Sequence, residues 1–347
     1  MQSEVVSFDR VRQKLDDGKR RHLLIGNGFS IGCDTCFSYK SLYEASKKAG
    51  LSKRAQQIFE RFGTNNFEAV MRLLEDGHWL AKIYQLVEDD SELRKDLVTL
   101  KKVLVDSIAK AHPDHTGKVA DLKKAKAATF LRQFHNIFSL NYDLLPYWIN
   151  MTMNPPLFQD GFREDADDPE ALSLVFSERM GDQQGIYFIH GALHIFMGEG
   201  GLRKHCWGRT MKPITSLIRD GLEKSRYPLF VAEGNAEKKM EQIQANGYLS
   251  YCYGKLGRIQ KRLVTYGFSF GNSDSHISKV IAENLGITEL YVGVYKTGDK
   301  YPPEIFSAVN GIVEYRKQRF SDERPSIRNA RQLGVTFFDS ASAAVWA

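Results

Sequence analysis

Four cysteines, at positions 33, 36, 206 and 252, are too few for a disulfide-stapled secreted module of 347 residues, so a reducing cytoplasm is the expected setting. No apolar run approaches the roughly 18 residues that span a bilayer. Met1 to Arg21 carries Asp, Arg and Lys where a signal peptide would be apolar, and no membrane association is expected. There is no long block of like charges, and the net charge of +6 is spread along the chain, so specific nucleic-acid binding is not expected. Internal repeats and low-complexity tracts are also missing. What remains is a chain that is 42% hydrophobic, enough for a sizeable core and too much for wholesale disorder.

Short apolar runs separated by helical patterns dominate the sequence. Val5, Phe8, Val11 and Leu15 predict an opening amphipathic helix within residues 4–17. Strands are predicted at 21–25, 135–140, 185–189, 227–231, 262–266, 289–294 and 334–338, with a helix over 274–286 and a short helix after the last strand. Residues 38–132 read as almost wholly helical: Phe67, Val70, Met71 and Leu74, then Leu80, Ile83, Tyr84 and Val87, repeat at helical spacing and predict core packing. A second stripe, Leu93, Leu97, Leu100, Val103, Leu104 and Ile108, stops before Pro113. Residues 154–184, rich in Pro, Asp, Glu and Gly, read as a long surface segment or lid. The pattern predicts an α/β fold: a Rossmann-like parallel sheet from residues 1–37 and 133–347, with an inserted helical subdomain at 38–132.

Ligands of such sheets lie at the carboxyl ends of the strands. Several predicted strands end there in small or polar residues: Gly26-Asn27-Gly28-Phe29-Ser30, Asn141-Tyr142-Asp143, His190-Gly191, Glu233-Gly234 and Gly267-Phe268-Ser269. Glycines after a buried strand let backbone N–H groups approach a pyrophosphate, although two glycines alone equally make a plain turn. The full Gly-x-Gly-x-x-Gly fingerprint is not met, since Ile31 stands where its last glycine would be, and no Gly-Lys-Ser/Thr of a P-loop follows. His190 and His194 share a spacing of four, but no His-Glu-x-x-His pattern accompanies them and no metal is expected. Gly267-Phe268-Ser269-Phe270-Gly271 fits the bare nucleophile-elbow pattern of hydrolases, so a serine hydrolase built on Ser269 is an alternative.

Taken in order, these segments resemble the sirtuin superfamily, in its bacterial sirtuin-like branch. Leu24-Ile25-Gly26-Asn27-Gly28-Phe29-Ser30 looks like the Gly-Ala-Gly-x-Ser nucleotide turn, and Ser139-Leu140-Asn141-Tyr142-Asp143 like the Thr-x-Asn-x-Asp motif. Ile189-His190-Gly191 matches the His-Gly motif, and Tyr266-Gly267-Phe268-Ser269 with Asp274 looks like the later Gly-x-Ser segment. Val231-Ala232-Glu233-Gly234 and Asp339-Ser340-Ala341 are similar to a bacterial family placed in that superfamily.

Sirtuin deacylases carry a zinc module of two Cys pairs. Here Cys33 and Cys36 have no second pair and directly follow the nucleotide turn, so they read as ordinary thiols. Without that module the expected reaction moves from deacylation to NAD cleavage. The helical insert resembles that of sirtuin-like NAD hydrolases of antiphage defence.

The resemblance implies NAD as substrate, with Gly26, Gly28 and Ser30 holding the pyrophosphate, Gly267, Ser269 and Asp274 serving the adenosine side, and Asn27, Phe29 and Phe268 among the cofactor-binding residues. It also implies Asn141 orienting water or ribose, Asp143 supporting the nicotinamide-ribose pocket, and His190 as general base or ribose-hydroxyl partner. The expected partner is NAD or an ADP-ribose-like molecule, with a homo-oligomer or an activating partner as trigger. A non-catalytic sensor of the same ligands is the alternative from another class.

Overall fold

The computed structural model describes residues 4–85, 91–178, 183–224, 226–232, 234–319, 321 and 332–347. The chain opens with β1 (Val5–Val6), α1 (Phe8–Leu15), β2 (Arg21–Ile25) and α2 (Asn27–Cys33). Five helices follow before the next strand: α3 (Tyr39–Lys48), α4 (Lys53–Arg61), α5 (Phe67–Ile83), α6 (Ser91–Ala111) and α7 (Asp121–Leu131). Ser38, Ser52 and Asn66 start three of them, each side-chain oxygen accepting from an amide of the first turn. Such a cap contributes about 1 kcal/mol.

Then come β3 (Asn136–Ser139), α8 (Leu145–Thr152), β4 (Phe162–Arg163), β5 (Ser173–Phe176), β6 (Gly185–Phe188), β7 (Gly191–Gly198) and β8 (Gly201–His205). After α9 (Trp207–Thr210) and α10 (Ile214–Glu223), β9 (Pro228–Phe230) leads to α11 (Ala236–Ala245), α12 (Gly247–Leu256) and β10 (Lys261–Tyr266). The chain continues through α13 (Ser275–Glu283), β11 (Ile287–Val294), α14 (Pro303–Arg319) and β12 (Gly334–Asp339) to a 3-10 turn at Ser340–Ala343.

The fold is α/β and Rossmann-like. Seven strands form one parallel sheet in the order β1-β12-β11-β10-β2-β3-β6. Apart from the short edge strand β1, the order read from β6 is third, second, first, fourth, fifth, sixth, that of a dinucleotide-binding doubly wound sheet. Its central strands are covered on both faces, which is why they read as near-continuous apolar runs: Leu23, Leu24, Ile25, Ile137, Phe138, Leu263 and Val264 are fully buried. The chain works outward from β2 through β3 and β6 to one side, and through β10, β11 and β12 to the other. The switch point therefore lies between β2 and β10.

Three expectations need correction. The strand at 227–231 is not in the parallel sheet: β9 pairs antiparallel with β7 in a second, five-stranded sheet ordered β4-β5-β8-β7-β9. An isolated apolar run has no parity that would tell the two sheets apart. Residues 154–184 are not simply a surface segment, because β4 and β5 belong to that second sheet, while 179–182 lie outside the described residues. Phe67, Val70, Met71 and Leu74 are buried, but Leu80, Ile83 and Tyr84 of the same stripe are 46%, 53% and 69% exposed, and Val87 lies outside the described residues. At this end the helix buries Ala81 and turns the apolar stripe toward solvent. The second stripe is buried at Leu100, Val103, Leu104 and Ile108. Helices α3, α5 and α6 share one core with the sheet and form a wall of the main body.

Among the described residues no helix is long and apolar enough to cross a membrane.

Candidate active site at the switch point

A cavity of about 420 Å³ opens at the carboxyl ends of the central strands. Gly26, Asn27 and Gly28 from the end of β2, Asn141 and Asp143 from the end of β3, His190 from the end of β6, and Gly267, Phe268, Ser269 and Asp274 beyond β10 all line it. Tyr39, Leu42, Phe67, Glu68, Leu104 and Ile108 of the helical insert form the opposite wall. Ten expected site residues, far apart in sequence, thus meet at one place.

Two turns meet at the switch point, and glycine is required by their contact. A Cβ on Gly26 would lie 2.6 Å from the Gly267 carbonyl oxygen, and one on Gly28 would lie 2.7 Å from the Gly267 Cα. Gly267 itself has φ 67°, left-handed backbone that a side chain would strain. The amides are engaged too: Gly26 donates to the Tyr266 carbonyl at 3.0 Å, Gly28 to that of Gly267 at 2.9 Å, and Phe29 to that of Gly26 at 2.9 Å. The Gly26 and Gly28 N–H groups therefore join the two turns instead of facing a pyrophosphate, contrary to expectation, and that of Phe29 closes its own turn.

Phe29 and Ser30 do not line the cavity. Phe29 is fully buried against Tyr266 and Trp346, and the Trp346 indole Nε1 donates to its carbonyl at 2.7 Å. Ser30 is fully buried between two expected catalytic residues. Its hydroxyl donates to Asp143 Oδ2 at 2.5 Å and accepts from Asn141 Nδ2 at 2.7 Å. A hydroxyl has one proton, so donation to the carboxylate forces the amide nitrogen of Asn141 toward Ser30. The Asn141 oxygen is thereby left on the other side, buried and with no partner. Asp143 Oδ1 accepts from the Leu145 amide at 2.9 Å. Burial pushes the Asp143 carboxyl up to about 6, against the opposing pull of Ser30 and the Leu145 amide.

His190 sits where the chain leaves the parallel sheet for the second one. Gly191, at φ 79°, makes that turn, and a Cβ there would overlap the Leu229 carbonyl. The His190 ring is 2% exposed, and its Nε2 lies 2.9 Å from Nε2 of His276. Burial, then Lys239 and His276, hold His190 well below the ordinary histidine value, while the Leu140 carbonyl works the other way. A carbonyl only accepts, so the ring nitrogen facing Leu140 carries the hydrogen. His190 Nε2 is then a lone pair that receives the Nε2–H of His276. His276 is itself held at about 4 by burial, with Asp274 opposing, and its Nδ1 has no partner.

Asp274 lies 4.0 Å from His190 Nε2 and so joins this end of the cavity, not a separate adenosine side. Its Oδ1 is 2.8 Å from the ammonium of Lys239, which is fully buried and also pairs with Glu68 of α5 at 3.0 Å. Burial alone would lower Lys239, but Glu68 and Asp274 outweigh it and hold the ammonium above the ordinary lysine value. His190, Asp274 and His276 offer ligand atoms within 4.8 Å of one another. The Lys239 charge on the same carboxylate opposes a divalent cation there by Coulomb repulsion.

His194 is not part of this cluster: it is fully buried against Tyr147 and Phe188. Cys33 and Cys36 are pushed up to about 11 and about 12, chiefly by burial, so both stay thiols. Glu233 lies outside the described residues.

Glu68, Lys239 and His276 escaped the sequence reading. Glu68 had a signal, an acid beside Phe67 inside an apolar helical stripe. His276 stands two residues after Asp274 but looks like any helix-start histidine, and Lys239 sits in a common lysine pair.

The chain belongs to the family described as "Domain of unknown function (DUF4917)", which it matches over residues 23–346. No curated protein matches the sequence.

Proposed function

We propose that this chain is a sirtuin-like enzyme that binds NAD in the switch-point cavity and hydrolyses its nicotinamide–ribose bond, as an effector of antiphage defence. The supporting observation is a pair of acceptors just beyond neighbouring strands: the orphaned Asn141 oxygen after β3, and the neutral His190 imidazole after β6, whose Nε2 is held by His276. Water adds to the anomeric carbon as the bond to nicotinamide breaks, giving nicotinamide, ADP-ribose and a proton. The Asn141 oxygen accepts a hydrogen bond from the water or a ribose hydroxyl and orients it. His190 Nε2, once His276 yields its place, accepts the proton. Ser30 locks the Asn141 amide in the required sense, and Asp143 locks Ser30. The cavity also lies within the range of about 300–1,000 Å³ usual for ligand sites.

A pure sensor of NAD has no use for an oriented acceptor beside a neutral base. A serine hydrolase has little geometric support: Ser30 and Leu145 engage Asp143, and His276 engages His190, so neither is hydrogen-bonded to Ser269. The deciding assay is nicotinamide release from NAD by the purified protein, with calorimetric NAD binding in parallel. Asn141→Ala and His190→Ala are each expected to lower release about 100-fold or more while binding persists. Wild-type turnover in both variants would overturn the assignment, and binding without turnover in the wild type would leave the sensor.

A further inference from the structure

A second cavity, about 530 Å³, opens at the opposite edge of the parallel sheet, where β2, β3 and β10 begin. Lys19, Arg20, Lys255, Arg258 and Lys261 line it, and no carboxylate does so among the described residues. Lys19 pairs with Asp17 at 3.0 Å, and Arg262 is shared between Asp17 and Glu289, so Lys19 is balanced, whereas Lys255, Arg258 and Lys261 pair with no carboxylate among the described residues. His22 also lines the cavity; it is 4% exposed, and its buried Nδ1 has no hydrogen-bond partner. Lys255, Arg258 and Lys261 converge on one recess and repel one another, an arrangement that an anion would relieve.

We propose that this recess binds a small, multiply phosphorylated anion. Phosphate oxygens accept from several cations at once. A small ligand is favoured over a nucleic acid because the cations surround a recess of about 530 Å³ instead of tracking along an extended surface. Strand β2 carries His22 at this edge and ends in the Gly26 turn at the other, so the site stands one strand-length from the cavity of the proposed reaction.

The test is calorimetric titration of the full chain with inorganic tripolyphosphate, together with hydrogen-exchange mapping. Binding is expected, with protection at residues 18–22, 135–136 and 255–262. Arg258→Glu with Lys261→Glu, both exposed positions, should weaken it about tenfold or more at an unchanged melting temperature. Arg258→Gln with Lys261→Gln should weaken it to a lesser degree. No binding, equal binding by both double variants and wild type, or protection confined to residues 26–30 would overturn the proposal. Equal displacement by a mixed-sequence single-stranded DNA would overturn it in favour of a nucleic-acid surface.

Discussion

His190 and His276 face each other through their Nε2 atoms at 2.9 Å, and the tautomer that the Leu140 carbonyl selects for His190 puts the shared hydrogen on His276. His276 thereby both holds the proposed base and helps keep it neutral. His276→Phe removes the N–H that favours the neutral form of His190, so the His190 value should rise and the acidic limb of the kcat/KM profile for nicotinamide release should move to higher pH. His276→Gln keeps a donor of similar reach and should retain more of the activity. A limb that stays in place in the Phe variant would separate His276 from the base.

The contact between the two turns sets apart two glycines with the same backbone. Gly267 and Gly298 have φ 67° and 63°, but a Cβ on Gly267 would meet the backbone of Gly28 and Phe29, whereas Gly298 has nothing within 4 Å. Gly298→Ala should cost about 1–2 kcal/mol, the left-handed strain alone. Gly267→Ala should cost clearly more and abolish NAD binding. Denaturant unfolding and calorimetry of the two variants check the difference.

Lys239 holds Glu68 of the helical insert and Asp274 of the sheet domain on one buried ammonium. Lys239→Ala leaves two carboxylates without their cation, and a loss of about 3 kcal/mol is expected, less than full burial would give because Asp274 is partly open. Adding Glu68→Gln should recover part of it, since one stranded charge is removed. If the double variant is no more stable than Lys239→Ala, the network is not what joins the two parts.

Buried histidines govern stability in acid. His22, His112, His205 and His276 are each held at about 4, chiefly by burial, below the ordinary 6.5 of an unfolded chain. Between those values the unfolded state binds the extra protons, so their stabilisation is full above pH 6.5 and falls as the pH drops toward 4. Asp143, at about 6, acts oppositely, gaining stability as pH falls below 6. Glu68 is raised as well, but His190 and His194 are lowered with the other four, and two carboxyls do not offset six imidazoles, so the melting temperature should drop from pH 6.5 to 4. Replacing His112 by Phe should flatten that slope, whereas an unchanged slope would point to other groups.

The parallel sheet was legible because its strands are apolar on both faces and end in polar or glycine residues, as with Leu23 to Gly28. The second sheet was not, because β4 and β5 are short and lie in a stretch whose Pro, Asp and Gly content suggests loop. Asn141, Asp143 and His190 were found from their place after strands and from the resemblance. The role of Ser30 was not, since a serine in a glycine turn looks alike whether it meets a phosphate or a buried carboxylate. Glu68, Lys239 and His276 come from three separate elements, and only tertiary packing shows that they share one pocket.

Phe29 receives its indole bond from a residue 317 positions later, and its turn leans on Gly267. A ribosome making this chain releases β2 early, yet the wall beside that turn and the ring beneath it are translated late. A nascent polypeptide carries an unfinished pocket until residue 346 has emerged. In a fragment cut before β10, the central strand would have a bare edge and its turn no support, so expression of the first half alone should yield an aggregation-prone product instead of a nucleotide-binding half-domain.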